Sequence, residues 1–267
     1  MNSQVTDQME AEVLVERKGR VAVLTMNRPK QSNPIGWTLG KSLYDAFDAL
    51  ENDKDISAIV LTGAGKNFCA GGAMGETLGI HEIDVERQFE AFRDIAKAVS
   101  RIRNFALPVI GAINGAAVGG GAAIALACDI SIAAEKSYFG FGFGPLGACA
   151  ADLGIPYILP RFVGLMRARH ILMTSAKVSA VEAKEYGMVL DVVSSQDLLE
   201  RAIALAEEIA STSARTAMAA TKRVLKIGET AEFEACLYNE QFVQTYFLHS
   251  EDHKRRLSQL LNGPAAK

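Results

Sequence analysis

The chain has 267 residues, 49% of them hydrophobic and 22% charged, with a formal net charge of −3. That is enough apolar residue to bury a sizeable core, and it is not the composition of a disordered chain. The basic excess that nucleic-acid binding requires is absent, which leaves room only for a local basic site for a phosphorylated cofactor. The length fits one large domain or a main domain with a helical appendage. Residues 1–10, MNSQVTDQME, are polar and carry no signal-peptide core, and no stretch approaches about 18 uninterrupted apolar residues, so no membrane span is expected. Cys69, Cys128, Cys149 and Cys236 lie far apart with no C-x-x-C and no nearby histidine. Neither disulfides nor a zinc site is expected, and a reducing cytoplasm fits.

Residues 11–26 read as two strands with a turn at Lys18-Gly19, and Asn27-Arg28-Pro29 ends the pattern. Leu39, Leu43, Phe47 and Leu50 recur at helical spacing over 37–50. Ala58-Ile-Val-Leu-Thr62 is a buried strand, turned at Gly63-Ala-Gly65, and a Gly/Ala-rich loop runs from Asn67 to Gly79. Residues 85–104 predict a helix with Phe89, Phe92, Ile95, Ala96, Val99 and Ile102 on one face. A strand at 108–113, a glycine-rich turn from Asn114 to Gly121, a helix at 122–128 and a strand at 130–133 follow. Helices are predicted over 152–173 and 179–187, a last strand over 189–193, and helix from Asp197 to Leu261. Alternating strands and helices argue an α/β fold with parallel strands. The tail carries Phe233, Leu237, Phe242, Tyr246 and Phe247, apolar faces that need a partner surface, most simply another subunit.

Two turns concentrate glycine: Asn67-Phe-Cys-Ala-Gly-Gly-Ala-Met74 and Asn114-Gly-Ala-Ala-Val-Gly-Gly-Gly121. Neither is a P-loop, and the match to G-x-G-x-x-G is poor. Glycine lets a backbone approach a ligand closely, and a helix N-terminus after Gly121 adds unpaired N–H groups. Two such turns can aim two donors at one oxygen, an oxyanion hole. Glycines that merely permit tight turns and close packing are the competing reading.

The run Ala58-Ile-Val-Leu-Thr-Gly followed by Phe68-Cys-Ala-Gly-Gly72 resembles the crotonase (enoyl-CoA hydratase/isomerase) superfamily. So do Leu107-Pro-Val-Ile-Gly-Ala-Ile-Asn-Gly-Ala-Ala-Val-Gly-Gly-Gly121, Ala127-Cys-Asp-Ile130, Leu159-Pro-Arg-Phe-Val-Gly164 and Ala180-x-x-Ala-x-x-x-Gly187-Met. The pieces keep the family's order over 11–195, and the last 70 or so residues fit less well. The resemblance implies a ββα spiral core over 1–196 and a C-terminal helical oligomerisation region over 197–267 that builds trimers, often hexamers. It implies an acyl-CoA substrate, with coenzyme A part of that substrate and no separate cofactor, metal, nucleic acid or membrane partner. By position Gly72 and Gly120 supply the oxyanion-hole N–H groups. Arg28, Lys30 and Lys66 fall where relatives hold the adenine and phosphates, while Lys254-Arg255-Arg256 departs from the family's C-terminal basic pattern. Ala70, Met74, Leu78, Phe143 and Gly144 fall on the acyl pocket, with Trp37 and Phe141 as further apolar candidates.

The family's hydratases use two glutamates to activate water, and here those positions hold Ala123 and, counting back from Leu159-Pro-Arg161, Gly144. No acid occurs from Lys136 to Ala151. The acid that remains is Asp152, at a position similar to the catalytic aspartate of dienoyl-CoA isomerases and of a ring-opening isomerase. The nucleophilic aspartate of aroyl-CoA dehalogenases also lies near, but their histidine position is occupied by Ala96. An aspartate among Ala, Leu and Cys is partly desolvated, which raises its pKa toward proton shuttling. Asp before Leu-Gly-Ile-Pro also reads as a helix N-cap, and the roles are compatible. Asp129 reads as structural, and Glu76, His81, Glu82, Asp84 and Glu90 lie in or after a loop too variable to align. The reading is an acyl-CoA isomerase acting through an enolate. Enoyl-CoA hydration or thioester hydrolysis is the alternative, and a non-catalytic CoA-binding subunit is the alternative of another class.

Overall fold

The structure, a computed structural model, describes residues 11–73 and 84–262. Strands β1 (Val13–Lys18) and β2 (Val21–Met26) form an antiparallel hairpin whose turn is made by Gly19 at φ 58°. From β2 the sheet continues in parallel through β3 (Ala58–Gly63), β4 (Val109–Ile113), β6 (Ile130–Ala134) and β9 (Asp191–Val193). Parallel strands covered on both faces read as continuous apolar runs, which is why β3 and β4 are buried at every position.

Side chains alternate across these strands, so each strand feeds two cores. Leu24, Ile59, Leu61 and Ile113 face one layer, where they meet Leu43 and Phe47 of α1 (Leu39–Glu51) and Ile95 and Ile102 of α2 (Val85–Asn104). Val23, Ala58, Val60, Ile110 and Ala112 face the other, under Leu198, Ala202, Leu205 and Ala206 of α7 (Leu198–Thr212). The helix that opens the C-terminal region therefore seals one face of the sheet. Beyond α2, the helix α3 (Gly120–Ala127) is buried at every residue, and α4 (Ile155–Val163), α5 (Leu165–Thr174) and α6 (Ala180–Glu185) lead to β9.

Four expectations need correction. The turn over 114–121 contains a strand, β5 (Ala116–Val118), and α3 begins at Gly120. β5 pairs with β7 (Tyr138–Gly140), and β7 with β8 (Lys177–Ser179), in a second small sheet. The helix expected over 152–173 is two helices, broken at Gly164, whose φ of 77° and ψ of 155° cannot continue one. On α2 it is Ala98, not Ala96, that joins Ile95, Val99 and Ile102 in the core, while Phe89 is 68% exposed.

The C-terminal stretch folds as α7, α8 (Arg215–Gly228), α9 (Phe233–Leu248) and α10 (Glu251–Asn262). On α9, Phe233, Phe242 and Tyr246 are exposed, as are Leu260 and Leu261 of α10. No described helix is long and apolar enough to cross a membrane. Among the described residues no cluster of three or more His, Cys, Asp or Glu is placed to hold a metal ion. Cys69 is buried, and burial pushes its thiol up to about 12.

Asp129 ties α8 to the core. Its carboxylate accepts the Val109 N–H at 2.7 Å and the Lys222 ammonium at 2.6 Å, and Lys222 also donates to the Leu107 carbonyl at 3.1 Å. Burial lifts the Asp129 pKa above 3.8 even with Lys222 pulling the other way. Lys222→Met strands that carboxylate, and a loss of about 1–3 kcal/mol at neutral pH is expected. The variant's Asp129 pKa rises further, so the deficit shrinks as pH falls through it. Urea unfolding at two pH values checks this: a deficit independent of pH, or none, contradicts it.

Candidate active site

The two glycine turns meet backbone to backbone. Cys69 N–H donates to the Ala116 carbonyl at 3.0 Å, and Val118 N–H to the Cys69 carbonyl at 2.9 Å, so the first turn runs beside β5. On its other side Ile35 N–H donates to the Gly71 carbonyl at 2.7 Å, and Ala73 N–H to the Ile35 carbonyl at 3.0 Å. In a parallel ladder the residue between those two partners turns its own N–H the opposite way. Gly72 is that residue, so its N–H faces the side on which β5 and the second turn lie, and no acceptor among the described residues takes it.

Gly120 is the first residue of α3, where N–H groups have no intrahelical acceptor. It gains the positive end of the helix dipole as well. Gly119, at φ 53°, spends its own N–H on the Gly140 carbonyl at 2.9 Å and swings the chain into the helix. Glycine is required for contact between the turns. A Cβ on Gly121 would fall 2.9 Å from the Cys69 carbonyl carbon and closer still to its oxygen, and one on Gly71 would fall 2.6 Å from the Val118 oxygen.

A cleft of about 340 Å³ opens over both turns. Gly72, Gly119 and Gly120 floor it, and Ile35, Trp37, Phe92, Ile95, Phe143 and Leu153 give it apolar walls. Among its described lining residues Asp152 is the one ionisable side chain. A Cβ on Gly120 would stand 4.0 Å from Asp152 Oδ2, which sets the carboxylate beside the second donor. Desolvation raises the Asp152 pKa, and a hydrogen bond from the Leu153 N–H opposes that. The N-cap reading of Asp152 is corrected: α4 is capped at Gly154, and Asp152 offers Ile155 only its backbone carbonyl, at 2.9 Å. Its side chain is left for the cleft.

The other expected residues divide. Ala70 and Phe143 line the cleft. Gly144 does not: it opens a short 3-10 turn and its N–H donates to Ser175 Oγ at 3.1 Å. Phe141 is fully buried away from the cleft, and Ala123 is buried inside α3. Arg28 bonds Glu12 at 3.3 Å and Gln31 at 2.6 Å, while Lys30 and Lys66 are exposed. Lys30 and Lys66 follow Pro29 and Gly65, which abut, so these cations share one edge. Asp84 and Glu90 do not line the cleft, and Glu90 pairs with Arg93 at 3.8 Å. Met74, Glu76, Leu78, His81 and Glu82 lie outside the described residues.

Sequence reasoning missed three contributors. Asn33, buried and at φ 52°, donates to the Ala64 carbonyl at 2.9 Å and the Asn67 carbonyl at 2.8 Å, bracing the first turn. Its only signal was Asn before Pro in a turn. Ile35 and Leu153 reach the face of Gly120 through tertiary folding and left no sequence signal.

The described family "Enoyl-CoA hydratase/isomerase" matches residues 16–262. A probable enoyl-CoA hydratase of Mycobacterium leprae (strain TN) is 34% identical over 238 residues, covering 87% of this chain and 81% of that protein. The crystal structure of an enoyl-CoA hydratase from Bacillus anthracis superposes with a TM-score of 0.89 at 31% identity, covering 96% of this chain and 98% of that one. A monofunctional enoyl-CoA isomerase of M. smegmatis superposes at 0.72 with 34% identity, covering 85% and 99%. The fold is thus the strand-and-helix spiral with C-terminal helices that the motifs implied, and the chain belongs to the enoyl-CoA hydratase/isomerase family of the crotonase superfamily.

Proposed function

We propose that the protein isomerises an unsaturated acyl-CoA by moving a proton, with Asp152 as carrier and the Gly72 and Gly120 N–H groups holding the enolate oxygen. The observation that carries this is the pairing of two unclaimed donors with a single ionisable side chain on the described cleft wall. The Asp152 carboxylate takes a proton from the acyl chain next to the conjugated system. The electron pair left behind spreads onto the thioester oxygen, where the two N–H groups stabilise it. Asp152 then returns the same proton at another carbon, and the double bond is shifted with no atom gained or lost. Desolvation makes the carboxylate a stronger base than a solvated aspartate, as this role needs.

In this reading Lys30 and Lys66, on their shared edge, bind the phosphates of the CoA moiety, and Arg28, two residues before Lys30, assists them. The exposed aromatic face of α9 supports assembly into a homotrimer or a hexamer. We assign the protein to the cytoplasm, with no nucleic-acid or membrane partner.

A second reading, hydration, is favoured by the names of relatives such as a short-chain-enoyl-CoA hydratase of Clostridium acetobutylicum, 33% identical over 243 residues. Standard water addition uses an acid and a base, and Ala123 and Gly144 supply neither. Turnover of an enoyl-CoA panel in heavy-oxygen water separates the readings by mass spectrometry. Isomerisation predicts a shifted double bond and no label. Labelled hydroxyacyl-CoA assigns the hydratase, and labelled free acid a hydrolase. CoA affinity with no turnover anywhere in the panel assigns a binding subunit.

A further inference from the structure

We propose that Leu153 is a positioning residue for Asp152, held in a strained backbone that lays its side chain over the cleft floor beside the carboxylate. This rests on Asp152 being the proton carrier. Leu153 has φ 44°, the left-handed region, where a Cβ is crowded against its own chain. The other described non-glycine residues at positive φ are Ser32, Asn33 and Ser175, small polar types that turns accommodate. A leucine there is the outlier, and strain of this kind collects where function holds it.

Starting α4 does not require it, because Gly154, at φ 83°, already takes the left-handed cap position. What the conformation achieves is local. The φ torsion decides where a side chain points relative to the chain that precedes it. At Leu153 it turns the side chain into the cleft, with its Cδ1 3.0 Å from where a Cβ on Gly120 would stand. Asp152 Oδ2 is 4.0 Å from that same point, and Ile35 Cδ1 is 2.5 Å from it. Leu153 and Ile35 thus cover the Gly120 side of the carboxylate against water. A glycine would adopt the same backbone without strain and leave the carboxylate wet.

Leu153→Gly, Leu153→Asn and Leu153→Met test this on whichever acyl-CoA is turned over, with the Asp152 carboxyl titration followed by carbon NMR. For Leu153→Gly a Tm equal to or above wild type is expected, with kcat about 10-fold lower or more and KM little changed. The acid limb of the rate profile and the Asp152 titration both move to lower pH. Leu153→Asn tolerates the left-handed backbone but removes the apolar cover, so it shifts the titration the same way, and Leu153→Met restores it. An unshifted titration in Leu153→Gly overturns the proposal, whether Tm falls or holds. Full activity in Asp152→Asn, with the Leu153→Gly titration still shifted, overturns the proton-carrier reading and leaves the positioning of the carboxylate standing.

Discussion

Asp152→Asn lowers turnover by about 10²–10⁴-fold and leaves the protein at least as stable as wild type at neutral pH. The substitution keeps the size and shape of the side chain, so the cleft and CoA affinity persist while the proton carrier is gone. Stability moves the other way because burial raises the folded pKa of Asp152 above 3.8, the ordinary value that the unfolded chain retains. Between those two pKa values the folded state binds more protons than the unfolded one, so stability is lost as pH rises through that window. Below about 3.8 both states are protonated and the variant gains nothing. The expected Tm difference therefore opens from zero near pH 3.5 or so, grows through the window, and levels off above the folded pKa. Thermal melts across pH, beside product assays, check both halves. An active variant removes Asp152 from the chemistry, and an inactive variant with no pH-dependent gain removes the desolvated carboxylate.

Much of this site was legible because its parts are backbone features with a sequence cost. Gly71, Gly119 and Gly121 are forced by positive φ or backbone contact, so runs of glycine mark both turns in the sequence itself. Asp152 stood out as an acid in a segment otherwise without one. The parallel core showed in the uninterrupted apolar runs of β3 and β4. What escaped has a common cause: short elements fixed by tertiary partners. Strands β5, β7 and β8 have three residues each, too few for a period of two to register, and β5 is written in Ala and Val beside glycines. The buried face of α2 was misjudged because Phe89 and Phe92 look like core residues, yet Phe92 is half exposed along the cleft. Leu153 looked like an ordinary helix-start leucine, and nothing in a sequence announces its φ of 44°.

Adjacent glycines in the second turn should separate catalysis from folding. Gly120→Ala is expected to fold and to lose about 10²–10³ in kcat. The new methyl would stand 2.5 Å from Ile35 Cδ1 and 3.0 Å from Leu153 Cδ1, and both are ends of flexible side chains that can swing aside. It also faces the cleft 4.0 Å from Asp152 Oδ2, where it crowds a bound thioester away from the Gly120 N–H. Gly121→Ala meets the Cys69 backbone instead, with the carbonyl carbon at 2.9 Å and the oxygen nearer, and a β5-paired backbone cannot swing aside. That variant is expected to lose about 1–3 kcal/mol of stability by overpacking, with activity falling because the first turn is pushed off α3. Adding Ile35→Val to Gly120→Ala removes the atom under greatest pressure. The double variant should regain any lost Tm while kcat stays low, since the methyl still blocks the donor. Melts and single-turnover rates on the three proteins decide it. Recovery of kcat along with Tm would mean that Gly120 matters for packing alone, and the oxyanion reading would then have to rest on Gly72.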